Sequence, residues 1–400
     1  MSVPVIDMWP GPEAPHKRNF CPQSFVTGTI LNCIIGWQPL FCDGFKRNIL
    51  LQTPPNMDAV ITWVDGNDPD HKAKRLAYQG KQTNLHTAAT SDTRFDSQNE
   101  VYFCIASILK YAPFIRTIHV VTDNQSPAFL KRFSDEGLCA PDRIRLVDHR
   151  EIFRGHEDVL PTFNSNSIET MLWRIEGMAE HFISFNDDFF INQPLSASDF
   201  FQDGLPVLHG QWEKPEINSF RNRKRELLQA LGLKKTGIKP NFLIVQNRAA
   251  LLVGMKDRYF RYGHYPRPLR RSVFSEYFNE NPGVLKDQIQ HRFRRSKQFT
   301  PPSLAYHLEI SRFGVTPSQP ASVAYFHPEE SPSRTWFDDL RQEASKFGCI
   351  QSLDECPGDL AAEIQIALKT KFQSHLPSCL HPECAEYQAA DKANTVGISG

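Results

Sequence analysis

The sequence predicts an α/β fold in which a mostly parallel, twisted sheet with crossover helices is followed by a helical C-terminal part. Short apolar runs alternate with stretches of helical periodicity over residues 58–192, a pattern typical of parallel strands joined by helices. The 400-residue chain is 40% hydrophobic and contains 29 Phe, which is enough for a substantial core. A folded protein is therefore expected rather than a disordered one.

The predicted strands are short runs rich in Val, Ile and Phe. The first, Ala59–Val64, ends at a turn that contains Gly66 and Pro69, residue types that interrupt strands. Because parallel sheets bind ligands at the carboxyl ends of their strands, the residues just after each run are candidates for chemistry. Further strands are expected at 117–122, 143–147, 181–185 and 241–245.

Helices are predicted where apolar residues recur at intervals of three and four. Residues 100–111 show this spacing and stop before Pro113, which disfavours a helical conformation in the residue before it. Residues 168–180 and 361–372 show the same spacing. The first two helices would join strands of the sheet, and the third would belong to the C-terminal part.

Composition suggests five segments along the chain. Residues 1–56 are rich in Pro and aromatic residues without a clear period and are expected to form an irregular extension. The remaining segments are an α/β core at 57–210, a spacer or insertion at 211–260, a mainly helical part at 261–386 that completes the site, and a small, polar, flexible tail at 387–400.

Charge and cysteine content exclude several classes of protein. The 45 basic and 45 acidic residues cancel, which argues against a dedicated nucleic-acid binder. Nine cysteines without a CxxC pair favour unpaired thiols in a reducing compartment over a disulfide framework, although Cys379 and Cys384 could offer metal ligands. No signal peptide and no apolar run of membrane-spanning length is found, so a cytoplasmic protein is expected.

Acidic residues follow two of the predicted strands. Asn186-Asp187-Asp188 closes the run 181–185, and Asp65 follows the first strand, which Asp58 precedes. Adjacent carboxylates at a strand end can hold a hard divalent cation that bridges phosphates. Short acidic strings are also common in ordinary turns, so the residues alone leave both interpretations open.

Basic and aromatic residues are concentrated in 261–271 and 291–297. The guanidinium fork matches phosphate oxygens, so a pyrophosphate clamp, a nucleic-acid surface and a solvated helix face all remain open. His264, His307 and His327 are candidate acid or base groups because histidine titrates near neutral pH. Composition does not choose among the three.

Four blocks of the chain match, in order, the pattern of a known family. Asp58–Pro69 fits D-x-V-x-T-W-V-[ND]-G-x-D-P, and a second block runs from Arg94 to Asp188. The third is His264-Tyr-Pro-Arg267, with arginine in place of a second histidine, and the fourth is Cys349-Ile-Gln-Ser352 in place of C-[IL]-N-D. The chain thus resembles the Stealth family, which includes bacterial capsule polymerases and the lysosomal-enzyme N-acetylglucosamine-1-phosphotransferase.

The resemblance implies a nucleotide-sugar transferase-like fold and transfer of a sugar-1-phosphate. A glycan hydroxyl would attack the phosphorus next to the sugar of a UDP-sugar such as UDP-N-acetylhexosamine, and UMP would leave. Such transfer needs mainly positioning and charge neutralisation. Asp187 and Asp188 would hold Mg²⁺ or Mn²⁺, His264 would take the acceptor proton, and Arg267, Arg294 and Arg295 would neutralise charge. The remaining implied binding residues are Thr62, Trp63, Asp65, Gly66, Arg94, Glu100 and Asn186.

Two other functions remain open beside this one. A metal-dependent glycosyltransferase would use 186–188 as a DxD-type motif and release UDP. A non-catalytic capsule assembly factor would release neither nucleotide. The expected partners are a UDP-sugar donor and a capsular glycan acceptor, and no nucleic acid is expected to bind. The protein is expected in the cytoplasm, where it would contact membrane-bound capsule assembly machinery at the inner membrane.

Overall fold

The fold is taken from a computed structural model of the chain. It describes residues 56–80, 98–215, 242–328, 334–382 and 384, with the single positions 224, 227, 228 and 231. These residues all belong to one compact unit, residues 52–400. The N-terminal extension up to residue 55, the candidate Arg94, part of the spacer and the C-terminal tail lie outside the described residues.

The main sheet has five strands in the order β10-β4-β1-β2-β3. Strands β4, β1, β2 and β3 are parallel, and β10 pairs antiparallel with β4 at one edge. This confirms the predicted mostly parallel sheet. The strands are β1 Met57–Thr62, β2 Ile118–Thr122, β3 Ile144–Asp148, β4 His181–Asn186 and β10 Arg267–Arg270.

A second sheet of three strands has the order β11-β12-β5, with β5 following β4 directly along the chain. Strands β11 and β12 are parallel, whereas β12 and β5 are antiparallel. This sheet brings residues from the C-terminal part next to the end of β4. The other strands are β5 Phe189–Ile191, β6 Phe201–Gln202, β7 Leu205–Pro206, β8 Gln211–Glu213, β9 Tyr259–Arg261, β11 Val323–Phe326 and β12 Phe347–Ile350.

The helices begin and end where local chemistry favours it. Helix α1 starts with Pro69 after Asp68, whose carboxylate accepts a 2.7 Å hydrogen bond from the His71 amide. Helix α9 ends at Gly314, which has a left-handed backbone with φ 68°. The helices are α1 Pro69–Gln79, α2 Glu100–Tyr111, α3 Arg132–Asp135, α4 His149–Ile152, α5 Ser165–Met171, α6 Phe242–Leu252, α7 Arg271–Glu280, α8 Pro282–Ile289, α9 Pro301–Phe313, α10 Arg334–Gln342 and α11 Gly358–Phe372.

Two predicted elements are wrong. The helix expected over 168–180 ends as α5 at Met171, and a single 3₁₀ turn follows. Ile175 already has an extended backbone with ψ 127°, so the chain leaves the helical conformation there. Gly177 then takes a left-handed backbone with φ 71° in the turn that precedes β4. The strand expected at 241–245 is the start of α6, because a short apolar run fits a buried helix as well as a strand and here continues into a helix-forming segment.

Neither a membrane-crossing helix nor a disulfide is found in the described part of the chain. No helix there is long and apolar enough to span a bilayer. The described cysteines are all free thiols, as predicted for them: Cys104, Cys139, Cys349, Cys356, Cys379 and Cys384.

Candidate active site

The ends of β1 and β4 lie side by side at the carboxyl edge of the main sheet. Thr62 pairs with Asn186 in the parallel register. The segments 62–66 and 186–188 therefore begin at neighbouring positions of the sheet. Trp63 continues the ladder through a 3.0 Å hydrogen bond from its amide to the Val121 carbonyl. The sheet therefore places Thr62 and Trp63 next to the acidic segment that follows β4.

Asp65 and Gly66 form the turn beyond β1. The Asp65 amide donates to the side-chain oxygen of Gln125 at 3.1 Å, and the Gln125 amide donates back to the Asp65 carbonyl at 2.9 Å. The Asp65 carboxylate accepts from the Asn67 amide at 2.9 Å. Gly66 is itself buried. The turn is thus held by the Gln125 side chain, which bonds to the Asp65 backbone, and by the Asp65 carboxylate.

Asp58 is placed at the opposite end of β1 and has a structural role. Its buried carboxylate accepts a bidentate pair from Arg116 at 2.9 and 2.7 Å and a bond from the Ala179 amide at 2.8 Å. Although burial opposes it, hydrogen bonds from His119 and Arg116 hold the pKa of Asp58 well below its usual value. Asp58 therefore ties strands together at the amino edge, away from the site.

The segment Asn186-Asp187-Asp188 joins β4 to β5 and is half-buried. The Asp188 carbonyl accepts from the Ile350 amide at 3.0 Å, and the Cys349 thiol donates to Asp188 Oδ2 at 3.7 Å. Asp188 Oδ1 is buried without a hydrogen-bond partner in the described structure. A buried carboxylate oxygen without a partner is costly, so this atom has the capacity to bind a ligand.

Glu100 at the start of α2 brings a third carboxylate near the pair. Burial and the neighbouring Asp187 charge raise the pKa of Glu100 to about 8. Burial and repulsion from Asp188 raise the pKa of Asp187. Burial also raises the pKa of Asp188, although the charge of Arg267 acts in the opposite direction. Crowded carboxylates of this kind are stabilised by a proton or a cation.

A divalent cation fits this donor set. The described residues contain no group of three or more His, Cys, Asp or Glu side chains placed to hold a metal by themselves. Mg²⁺ commonly binds through one or two carboxylates plus the phosphates of a substrate, rather than in an all-protein cage. The Asp187–Asp188 pair, with its partnerless Asp188 oxygen, matches that mode of binding.

Arg267 lies across the acidic segment from β10. Its Nη2 donates to Asn186 Oδ1 at 2.6 Å, and its guanidinium lies 5.1 Å from the centre of the Phe189 ring and 5.8 Å from that of Tyr262. The side chain is buried, with 4% exposure. The antiparallel pairing of β10 with β4 thus brings a fixed positive charge to the carboxylates.

Glu169 on α5 is a member of the cluster that was not among the residues predicted for the site. Its Oε2 is buried without a hydrogen-bond partner in the described structure. Burial raises the pKa of Glu169, although the charges of Arg267 and Arg294 act in the opposite direction. Arg294 also donates to the Ser165 hydroxyl at the start of α5. Glu169 therefore lies among the same arginines that the sequence singled out.

The loop that carries Arg294 and Arg295 is held by buried amides. The Asn164 side chain donates to the His291 carbonyl at 2.8 Å and to Gln298 Oε1 at 2.9 Å. Gln298 Oε1 also accepts from the Arg295 amide at 2.9 Å. Asn164 and Gln298 are almost fully buried, so these bonds attach the arginine loop to the start of α5.

The histidines predicted as acid or base groups differ in their surroundings. His307 is fully buried, and its Nε2 accepts from the Phe260 amide at 2.9 Å while Nδ1 lies 2.6 Å from the Ser303 carbonyl. Both ring nitrogens are therefore used in structure. His264 is half-buried, and burial together with the charge of Arg267 lowers its pKa to about 4. His327 lies close enough to act on the same pKa.

Comparison with known proteins places these features in a family. The family models described as "Stealth protein CR1, conserved region 1" and "Stealth protein CR2, conserved region 2" match residues 55–83 and 94–207. A capsular polysaccharide phosphotransferase of Haemophilus influenzae is 30% identical over 299 residues, which are 74% of this chain and 76% of that protein. The chain belongs to the Stealth family.

Two further relatives are similar to this chain over parts of their length. An exopolysaccharide phosphotransferase of Streptomyces coelicolor is 37% identical over 338 residues, 80% of this chain and 56% of that protein. A capsular polysaccharide phosphotransferase of Actinobacillus pleuropneumoniae is 42% identical over 180 residues, 44% of this chain and 46% of that protein. The chain thus spans about half the length of these two relatives.

The two matched Stealth regions contain only part of the cluster. They include the Thr62–Gly66 turn, Glu100, Glu169 and 186–188, whereas Arg267 lies beyond them. His264, Arg294 and Arg295 also lie beyond residue 207. Glu169 follows Ile168 within the second Stealth block, so agreement with the family pattern was the signal in the sequence that could have identified it.

Proposed function

We propose that this Stealth protein transfers a sugar-1-phosphate, such as an (N-acetyl)hexosamine-1-phosphate, from a UDP-sugar to a hydroxyl of a capsular glycan. The acceptor oxygen forms a new bond to the phosphorus next to the sugar, and the bond between that phosphorus and the bridging oxygen breaks. UMP leaves with the electron pair, and the product is a phosphodiester. The names of the Haemophilus and Streptomyces relatives support phosphotransfer to a polysaccharide.

One observation carries the proposal: carboxylates and arginines converge at the carboxyl edge of the sheet. Arg267 bonds to Asn186 at 2.6 Å, and its charge acts on the pKa of Glu169. Arg294 acts on Glu169 as well. A pyrophosphate placed here would meet two guanidinium groups, which supply fixed positive charge where phosphoryl transfer develops negative charge.

Asp187 and Asp188 would hold Mg²⁺ or Mn²⁺, which supplies further positive charge to the pyrophosphate when bound. Asn186 keeps the segment in place through its bond to Arg267. Thr62 pairs with Asn186, so the segment Thr62–Gly66 begins at this edge of the sheet. Glu100 lies close enough to Asp187 for the two charges to interact. We assign these residues to the binding of the donor, and Arg295 to the rim of the phosphate site.

His264 is the residue to which we assign the acceptor proton. Burial and the Arg267 charge lower its pKa to about 4, so its imidazole is neutral at pH 7 and has a lone pair available. No hydrogen bond from either ring nitrogen is found within the described residues. His307 is a poorer candidate because backbone groups occupy both of its ring nitrogens.

A single assay separates this function from the two others that the sequence left open. The protein is incubated with UDP-N-acetylglucosamine, Mg²⁺ or Mn²⁺ and a capsular oligosaccharide, and the released nucleotide is identified by chromatography. UMP with a phosphodiester product is the expected result. UDP with a phosphate-free glycosidic product would indicate a glycosyltransferase, and glycan binding without either nucleotide would indicate an assembly factor.

We also propose a cytoplasmic location with peripheral contact to capsule assembly machinery at the inner membrane. The free thiols of the described cysteines support a reducing compartment. Cell fractionation tests the location, and the state of the thiols can be read by alkylation of the isolated protein. Recovery from the periplasm with disulfides formed would contradict the assignment.

A further inference from the structure

The carboxyl end of β12 contacts the candidate site at two places. On one side, the Ile350 amide and the Cys349 thiol donate to Asp188 at 3.0 and 3.7 Å. On the other side, Gln351 Oε1 accepts a 2.6 Å hydrogen bond from the phenol of Tyr325. Three consecutive residues of the C-terminal part thus reach both the acidic segment and an aromatic side chain on β11.

Close packing holds this end of β12 against β5. Gly348 pairs with Phe190, and a Cβ atom at position 348 would lie 1.9 Å from the Phe190 ring. The neighbouring pair, Cys349 with Phe189, continues the antiparallel ladder. Any side chain larger than hydrogen at Gly348 would displace the buried Phe190 ring from this position. The position of Gln351 relative to the site is therefore set by the sheet rather than by a loose connection.

Tyr325 in turn contacts His264. The two rings have centroids 5.6 Å apart and planes inclined by 38°, and Phe242 stacks on His264 at 4.8 Å and 29°. The Tyr325 hydroxyl donates to Gln351, which removes rotational freedom from the phenol ring. Because the His264 nitrogens form no hydrogen bond within the described residues, ring packing is what orients the imidazole.

We propose that Tyr325 and Gln351 are positioning residues for His264, with the Gln351 amide fixing the Tyr325 ring and the ring fixing the imidazole. This inference rests on the proposed function of His264 as the proton acceptor. If the imidazole turns away from the acceptor, turnover should fall while donor affinity is unchanged. The reason is that proton transfer requires an aligned imidazole, whereas donor binding does not. The same strand end also contacts Asp188.

The test measures turnover by UMP release and donor affinity by calorimetry with UDP-N-acetylglucosamine. Tyr325→Leu, which removes the ring, should lower turnover by about a hundredfold, as expected for a misplaced catalytic group. Tyr325→Phe and Gln351→Ala each remove the same hydrogen bond and should lower turnover about fivefold. The double variant should be no slower than either single variant, because one interaction is lost in all three.

Tyr277→Phe on α7 is the matched control and should keep wild-type turnover. The inference is overturned if Tyr325→Leu keeps wild-type turnover, if the two single effects multiply in the double variant, or if donor affinity falls in parallel with turnover. Should Tyr325→Leu fail to fold, Tyr325→Phe and Gln351→Ala still decide the matter. Wild-type protein that releases no UMP would instead count against the proposed function, so the two failures are distinguishable.

Discussion

Replacement of Arg267 by lysine tests most directly whether Arg267 holds the acidic segment 186–188 in place. The variant keeps one positive charge but loses the planar fork, which donates to Asn186 Oδ1 at 2.6 Å. The shorter reach of an ammonium group also removes the close approach to the Phe189 ring, now 5.1 Å from the guanidinium carbon to the ring centre. We expect the acidic segment to lose its fixed position while the fold is retained.

The magnitude follows from the hydrogen bond that is lost. A hydrogen bond to a charged group contributes about 1.5–3 kcal/mol. If catalysis requires the segment 186–188 in the position that this bond fixes, the free energy of the lost bond is added to the activation barrier. At about 1.4 kcal/mol for each factor of ten, turnover of Arg267→Lys should fall by about 10-fold to 150-fold. Donor affinity should also weaken, because the charge of the pyrophosphate is present before the reaction.

The assay compares UMP release and calorimetric donor binding in Arg267→Lys and in Arg270→Lys. Arg270 is a matched control on the same strand, where it forms a bidentate pair with Glu309 at 2.8 and 2.7 Å, outside the site. The control should lose some thermal stability and keep turnover. If Arg267→Lys matched wild type in both turnover and donor affinity, the role assigned to Arg267 would be refuted.

Four other predictions follow from the same geometry. EDTA should abolish activity, as should Asp188→Ala in a folded protein; full activity of metal-free Asp188→Ala would contradict the assignment. His264→Ala should lower turnover by about a hundredfold to ten-thousandfold with donor binding intact. In the wild-type protein, NMR should show a His264 pKa of about 4, and a value near 6.5 would count against the buried position of this imidazole. Arg294→Ala should weaken turnover and donor binding together, and Arg294→Lys should recover little; unchanged calorimetric binding would oppose this. Asp58→Ala should lower the free energy of unfolding by about 3 kcal/mol at pH 7. Because the folded pKa of Asp58 is depressed, the difference in denaturant stability from wild type should shrink below about pH 4, and a constant difference would argue against the ion pair.

Four of the five predicted strands lie within two residues of the observed ones, because strand positions depend on short stretches of sequence. The strand predicted at 181–185 is β4 His181–Asn186, which extends one residue further. Helix ends were harder, since the helix predicted over 168–180 stops at Met171. The chain leaves the helical conformation at Ile175 and turns at the left-handed Gly177 before β4, and the periodicity of apolar residues does not report such a turn.

The sequence by itself determined the family, the mostly parallel sheet and the positions of the chemical groups along the chain. Only the tertiary structure decided which groups meet. Arg267 contacts Asn186, which is 81 positions away in the sequence. Glu169 on α5 lies near Arg267 as well, although it was not among the predicted site residues. It also showed that His264 and His307, which composition alone left equal, have different surroundings. The physical reason is that an element and its end depend on near neighbours in sequence, whereas charge, burial and hydrogen bonding at a site depend on how distant strands pair.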